Sequence, residues 1–493
     1  MTKVSSLVSA GIGDTLSNIK NWGGLFYNAG DHGILPGADV TAKLQELVNL
    51  ANSEGRTTIV LPAGVYTVTA IQNDSNIIYF GDGASFAGGY TKIINKFSDY
   101  ISISAQLAER VKKGELFVNV KDYGAIGDWN GTSGADNTLA IQSAIDALGT
   151  AGGGTLKIPA GNYKYTSTLV NNSVYPIIIQ GDGSTSILTA AFNGIGINIT
   201  SDNGIKINNL KLVHSGASGA ILLLDGDNCL VENCSFEGSA NSTDYLVISY
   251  GSNNIIKGNG FTVNNANAFA VLVTAKTGQL NINSMMHENI FYGIGNGIAV
   301  STDNPGIRPE GLTILGNKII TTGGYNLLIK AGIGIDISHN ILDQSSINAI
   351  LFNFMVENAA NVSINNNAYI STASNKNGGL AIQVSDSVNT VSGLSIQNNN
   401  IVDSGYAIHL NSKAINNTIS GNKMTNILQT CITIGNSGNS IVSNNEVINS
   451  NFSIVAADGA SGAKYIITSN LFNSNYIYTK TTAANWIDSN NFY

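Results

Sequence analysis

One short pattern recurs along the second half of this chain and constrains it more than anything else. It reads "IKGNGFTV" at 256–263, "ILGNKIIT" at 314–321 and "ISGNKMTN" at 419–426. Aligned on the asparagine, the instances are Asn259, Asn289, Asn317, Asn340, Asn367, Asn399, Asn422, Asn445, Asn470 and Asn490. The residue three before each is apolar, as in Ile256, Met286, Ile337 and Val442. So is the residue two after, as in Phe261, Leu342, Tyr369 and Phe492. The anchors fall about 20–32 residues apart, the spacing of solenoid repeats.

The apolar residues alternate rather than follow a helical period. Ile335 and Ile337 flank Asp336 before one anchor, which marks a strand with one buried face. Midway between anchors a second alternating strand recurs, as "GIAVS" (297–301), "NLLIK" (326–330), "LAIQV" (380–384) and "YAIHL" (406–410). Each repeat therefore supplies a strand, a loop, a strand, the Asn turn and a short third strand. Stacked at about 4.8 Å per coil, such repeats predict an all-β right-handed parallel β-helix of about 12 coils. Asn tolerates left-handed backbone. The anchor is accordingly expected at the bend, with its amide turned inward to bond adjacent coils.

Composition fits this reading. Of 493 residues, 43% are hydrophobic and only 11% charged, with a formal net charge of −8. Disorder needs the opposite balance. No apolar run reaches the roughly 18 residues of a membrane span, and the N-terminus lacks an evident secretory signal. No basic run offers a grip on nucleic acid, so neither nucleic acid nor membrane is an expected partner. Cys229, Cys234 and Cys431 have no framework or metal-site spacing, and buried free thiols are expected. Neither a metal nor another cofactor is expected.

Val118–Leu169 carries a longer motif, with Asp122, Tyr123, Gly124, Ala125, Gly127 and Asp128, then Thr138, Ala140, Ile141, Gln142, Ala144, Ile145 and Asp146, then Gly152–Gly154, Pro159, Gly161 and Tyr163. It resembles the opening module of the pectate-lyase-like superfamily, with Trp129 and Asp136-Asn137 as local departures. Asp136 or Asn137 is placed to N-cap a helix running to about Leu148. Leu139, Ile141, Ala144, Ile145 and Leu148 would form the apolar face that closes the open end of the solenoid. These acids are read as structural. A weaker copy, Phe26–Ile71, shares the helix near 38–53 and "LPAGVYTV". The expected organisation is thus a small α/β-like N-terminal unit over 1–100, a helical connector over 101–117 and the β-helix over 118–493. The connector followed by this opening looks like phage tail appendage proteins, including tailspikes. That resemblance implies a homotrimer, virion-associated or extracellular, which acts on bacterial polysaccharide. The chain also stops within a few residues of the last anchored coil, so a partner or further sequence is expected there.

In the family the substrate groove runs along the mid-coil sheet. Alternation turns Ala299, Leu328, Gln383 and His409 outward, with Ser301 and Lys330 in the next row. The polar loop 301–310 holds Asp303, Arg308 and Glu310, and Glu357 and Asp386 occupy comparable loops. Glycoside hydrolysis needs two carboxyl groups, so Asp303, Glu310, Glu357 and Asp386 are the catalytic candidates. Arg308, Lys330, Gln383, His409 and Tyr250 are the substrate-binding candidates. A second acidic set, Asp225, Asp227, Glu237 and Asp244, flanks the early coils. Asp336, His339 and Asp343, like His287 and Glu288, read as surface turns. The expected function is a polysaccharide depolymerase, with hydrolysis ahead of elimination because carboxylates outnumber Arg and Lys bases. The alternatives are a non-catalytic glycan-binding spike and a polysaccharide lyase, epimerase or fructan enzyme.

Overall fold

The computed structural model describes residues 27–53, 58–74, 77–81, 84–92, 94–95, 117–238, 245–263, 268–304, 306–321, 325–344, 348–352, 359–371, 379–384, 390–410, 414–435, 438–456, 464–479 and 485–492. The chain divides into two compact units, Met1–Glu115 and Leu116–Tyr493.

The larger unit is an all-β right-handed parallel β-helix. Strands before the Asn turns stack into one fifteen-stranded sheet, from Phe117–Asn119 to Asn485–Ser489. Strands after the turn, such as Lys318–Thr321 and Ile341–Gln344, form a second face. Mid-coil strands, such as Asn296–Thr302 and Tyr325–Ile329, form a third. Each strand pairs in parallel with its counterpart one coil away, so the apolar residue three before the anchor becomes a column: Ile314, Ile337, Ile364, Ile396 and Ile419. All five are fully buried. Two residues after the anchor the column is aromatic at first. Phe236, Phe261 and Phe291 stack with centroids 4.9 and 4.7 Å apart and planes within 10°, close to the strand spacing.

The anchor asparagines form a continuous buried ladder. Asn340 is typical: its Nδ2 donates to the Ile314 carbonyl (2.8 Å) and to Asn367 Oδ1 (3.0 Å), while its own backbone N donates to Asn367 Oδ1 (2.9 Å). The same set recurs from Asn259 to Asn470. One expectation changes. The left-handed residue is not the anchor but the residue before it: Gly258, Glu288, Gly316, His339, Asn366, Asn398, Gly421, Asn444 and Ser469, all at φ between 54° and 66°. The bend and the hydrogen-bonding amide are thus divided between two positions. This also corrects the last repeat. Asn490 takes the left-handed place (φ 56°), and Asn491 accepts from Asn470 N and Nδ2, each at 2.9 Å. The register there pairs Ile487 with Ile466, leaving Ile487 59% exposed rather than in the core column.

The expected cap is the helix Thr138–Ala151, which buries Ile141, Ala144, Ile145 and Leu148 in the solenoid core. Leu139 is 81% exposed, because two residues at 100° each turn it away from Ile141. Asp136 Oδ1 accepts from Thr138 N (3.0 Å) and Oδ2 from Thr166 Oγ1 (2.5 Å). Burial opposes ionisation of Asp136, but these hydrogen bonds outweigh it and hold the carboxyl below its usual value.

The smaller unit repeats this design. Helix Thr41–Ser53 buries Leu44, Leu47, Val48 and Ala51, beside the parallel strands Tyr27–Asn28, Thr58–Val60, Ile78–Phe80 and Ile94–Asn95. Its bonds match those of the first cap 97 positions on. Asp39 Oδ1 accepts from Thr41 N (2.9 Å), Thr69 N donates to Thr41 Oγ1 (3.0 Å), and Gln45 Nε2 reaches Asn49 (3.0 Å). Thr138, Thr166, Gln142 and Asp146 repeat them at 3.0, 2.8 and 2.9 Å. Of the connector 101–117, residues 101–116 lie outside the described residues, and Phe117 is not helical but opens the strand Phe117–Asn119. Among those described, no helix is long and apolar enough to cross a membrane. All three cysteines are buried free thiols, pushed up to about 12 chiefly by burial.

Candidate functional site

The mid-coil strands sort their residues as the alternation requires. Ile298, Val300, Leu327, Ile329, Ile382, Val384, Ile408 and Leu410 face the core, each at most 1% exposed. The opposite row runs Leu223, Ile248, Leu272, Ala299 and Leu328 on successive coils and, two coils on, Gln383 and then His409. Leu223, Leu272, Ala299 and Leu328 of this row are nonetheless buried. Ala299 and Leu328, expected to face solvent, are 2% and 5% exposed.

Polar chemistry gathers where the early strands of this sheet end. Tyr250 and Gly251 both donate backbone N–H to Leu224 O, and Asp225 and Gly226 both donate to Ile199 O. The chain turns sharply at each glycine. A Cβ on Gly251 would stand 1.9 Å from Gly226 O, so only glycine allows the two coils to stack this closely. The stacking sets Asp225 and Tyr250 side by side on adjacent coils. The following coil makes an excursion: after Phe269–Ala275, a tight turn pairs Lys276 with Gln279, with Gly278 at φ 81°. This turn reaches back two coils. Lys276 Nζ forms an ion pair with the Asp225 carboxylate, and Gln279 Nε2 donates to the Asp225 carbonyl. The same ammonium lies 4.5 Å from the centre of the Tyr250 ring, within cation–π range. From one coil further, Asp303 Oδ2 accepts from the Tyr250 hydroxyl at 2.9 Å.

Tyr250 is pushed up to about 12, first by burial, then by its hydrogen bond to Asp303 and the charges of Asp303 and Asp225. It is therefore a neutral phenol and a donor at physiological pH. Beside the cluster lies a cleft of 630 Å³, lined by Asp202, Asp225, Asp227, Ser252, Lys276 and Gln279 among others.

The structure thus joins Tyr250 to Asp303, and brings in Asp225 from the flanking acidic set. Glu310 sits on the corner leading to the pre-turn sheet, paired with Ile282 and Ile333, and its backbone N donates to Asn281 O. Arg308 precedes that corner, outside the cleft lining. Lys330 lies on the Ser301 side, three coils from Tyr250, about 14 Å at the strand spacing. Gln383 and His409 are adjacent and outward, with His409 stacked on Tyr406 at 5.5 Å, but they stand four and five coils beyond Leu272. Glu357, Asp386 and Asp244 lie outside the described residues. Lys276 was not anticipated. Its signal was the "KTGQ" turn closing the apolar strand 269–275. Among the described residues, no group of three or more His, Cys, Asp or Glu is arranged to hold a metal ion.

The winding, the Asn ladder and the helical cap define the class: a right-handed parallel β-helix. Residues 194–353 match the family described as right handed beta helix region. Mannuronan C5-epimerase AlgE3 of Azotobacter vinelandii is 43% identical over 77 residues, 14% of this chain and 4% of that protein. Alginate lyase 7 of the same organism is 42% identical over 77 residues, 14% of this chain and 8% of that protein. The chain therefore spans a small part of these curated relatives. Among solved structures, a tailspike protein double mutant of E. coli bacteriophage HK620 superposes with a TM-score of 0.50 at 13% identity, over 74% of this chain and 78% of that one.

Proposed function

We propose that this protein binds and depolymerises a bacterial surface polysaccharide by glycoside hydrolysis, as a homotrimeric phage-type tail appendage that is virion-associated or extracellular. The observation that carries the reading is the cluster of two carboxylates around Tyr250, beside an open polar cleft. Asp303 and Asp225 are the pair. Asp225, fixed by Lys276, takes the ionised role of base or nucleophile. Asp303, exposed and oriented by the Tyr250 hydroxyl, supplies the second carboxyl group that the reaction needs. Asp225 replaces Glu310 as the partner of Asp303, because Asp225 is the acid grouped with Tyr250 and Lys276. A tyrosinate base for elimination is disfavoured, since Tyr250 is shifted up rather than down. The tailspike likeness and the resemblance of the opening module support the appendage setting.

The test is the release of reducing ends from a panel of bacterial surface glycans. Asp225→Asn and Asp303→Asn are each expected to lower kcat by about 10²–10⁴-fold, the usual span for loss of general acid–base catalysis, with glycan binding and far-UV circular dichroism retained. Full activity in both variants, or unsaturated-uronate absorbance appearing together with the reducing ends, would refute the assignment. Sedimentation of the full chain checks the trimer.

A further inference from the structure

We infer that the cleft selects an uncharged polysaccharide and excludes polyuronates. The inference rests on the functional reading above and names the substrate class of the same site. The cleft, at 630 Å³, falls within the roughly 300–1,000 Å³ of ligand pockets. Its lining carries three carboxylates, Asp202, Asp225 and Asp227, against one cation, Lys276. That cation is already paired with Asp225. Asp227 Oδ1 accepts from Ser252 N at 2.6 Å, and among the described residues neither Asp202 nor Asp227 meets a cation.

Carboxylates are acceptors only. They complement sugar hydroxyls, which donate, and repel sugar carboxylates, which do not. Thr200, Ser252, Thr277 and Gln279 supply the neutral polar remainder. A polyuronate places one carboxylate on every sugar, and two or more would enter a cleft of this size where, among the described lining residues, no free ammonium or guanidinium meets them. The cations among the substrate-binding candidates of the sequence, Arg308 and Lys330, do not line the cleft. The substrate class that fits is therefore a neutral, hydroxyl-rich glycan.

The test uses matched polymers, a neutral mannan and a polymannuronate, within a wider panel of neutral and uronic polysaccharides, at low and high salt. Binding is expected for neutral members only. A polyuronate that binds as tightly as its neutral counterpart, or better, overturns the inference while leaving the depolymerase reading open to its own assay. A neutral glycan bound but not cleaved keeps the inference and removes the hydrolysis. No binding to any polymer removes both. As a second arm, the Asp202→Lys, Asp227→Lys double variant is expected to bind polymannuronate at least about tenfold faster at low salt, the lower end for charge-steered clefts, with the gain lost at high salt. No change in polymannuronate association by a folded double variant would also overturn it.

Discussion

Asn367→Asp changes one NH₂ to an oxygen inside the ladder and leaves the shape intact. Asn367 is 1% exposed. Its Oδ1 accepts from Asn340 N (2.9 Å) and Nδ2 (3.0 Å), and an aspartate could still do this. Its Nδ2 donates to Ile337 O (2.9 Å) and Asn399 Oδ1 (3.0 Å), and a carboxylate would set its charge against both acceptors. The folded chain must hold the new group protonated. A proton supplies one donor where the amide supplied two, a loss of about 1 kcal/mol. Holding a carboxyl of ordinary value near 3.9 neutral at pH 7 costs a further ~4 kcal/mol. The sign follows from linkage. The folded-state value is raised, so the unfolded chain binds fewer protons above about pH 4, and stability falls as pH rises, by ~1.4 kcal/mol per unit. Urea unfolding followed by circular dichroism from pH 4 to pH 7 should show a small deficit at the acid end and a large one at the neutral end. Asn367→Ala is the control. It strands Asn340 N–H and Ile337 O, costing about 2–6 kcal/mol for two buried orphans, nearly independent of pH. An Asp variant whose deficit is the same at both ends, or stays below ~1 kcal/mol at pH 7, would refute the ladder as the fixed element of the fold.

Three further outcomes are expected. His339→Gly should raise stability by about 0.5–1 kcal/mol, since left-handed strain of ~1–2 kcal/mol exceeds the glycine entropy cost of ~0.5–1 kcal/mol; an unchanged or lower urea midpoint would contradict it. Gly251→Ala should destabilise the early coils by about 1–3 kcal/mol through overpacking and reduce activity through displacement of Tyr250, read as a lower melting temperature together with a lower kcat. Tyr250→Phe removes the donor to Asp303 and should lower kcat/KM by about tenfold or more with the fold intact; full activity would separate Tyr250 from the chemistry.

The coil was legible because burial narrows the residue alphabet. The columns of Ile314, Ile337 and Ile364 and the buried amides of Asn317 and Asn340 tolerate few substitutes, so their spacing survives in the sequence. The bend was misplaced by one residue because its occupants vary among Gly, Asn, Glu, His and Ser and face solvent or the turn edge. Even so, the run of Gly258, Gly316 and Gly421 one place before an anchor was a usable signal. In the last repeat, two consecutive asparagines hid which was which, and only the pairing of Asn470 with Asn491 separates them. The site was half visible. Tyr250 and Asp303 were singled out separately, 53 residues apart. Their meeting, and the arrival of Lys276 at Asp225, depend on how far each excursion leaves the coil. Periodicity records the coil and not its excursions.

The ladder also makes shaft length a discrete variable. Asn399, Asn422 and Asn445 follow one another at steps of 23 residues, each bonded to the coils directly above and below. Excising one such step would bring chemically identical partners together, Asn399 onto Asn445, with every donor and acceptor matched again. A solenoid built this way can be shortened or extended by whole turns, with the ladder re-formed at each length.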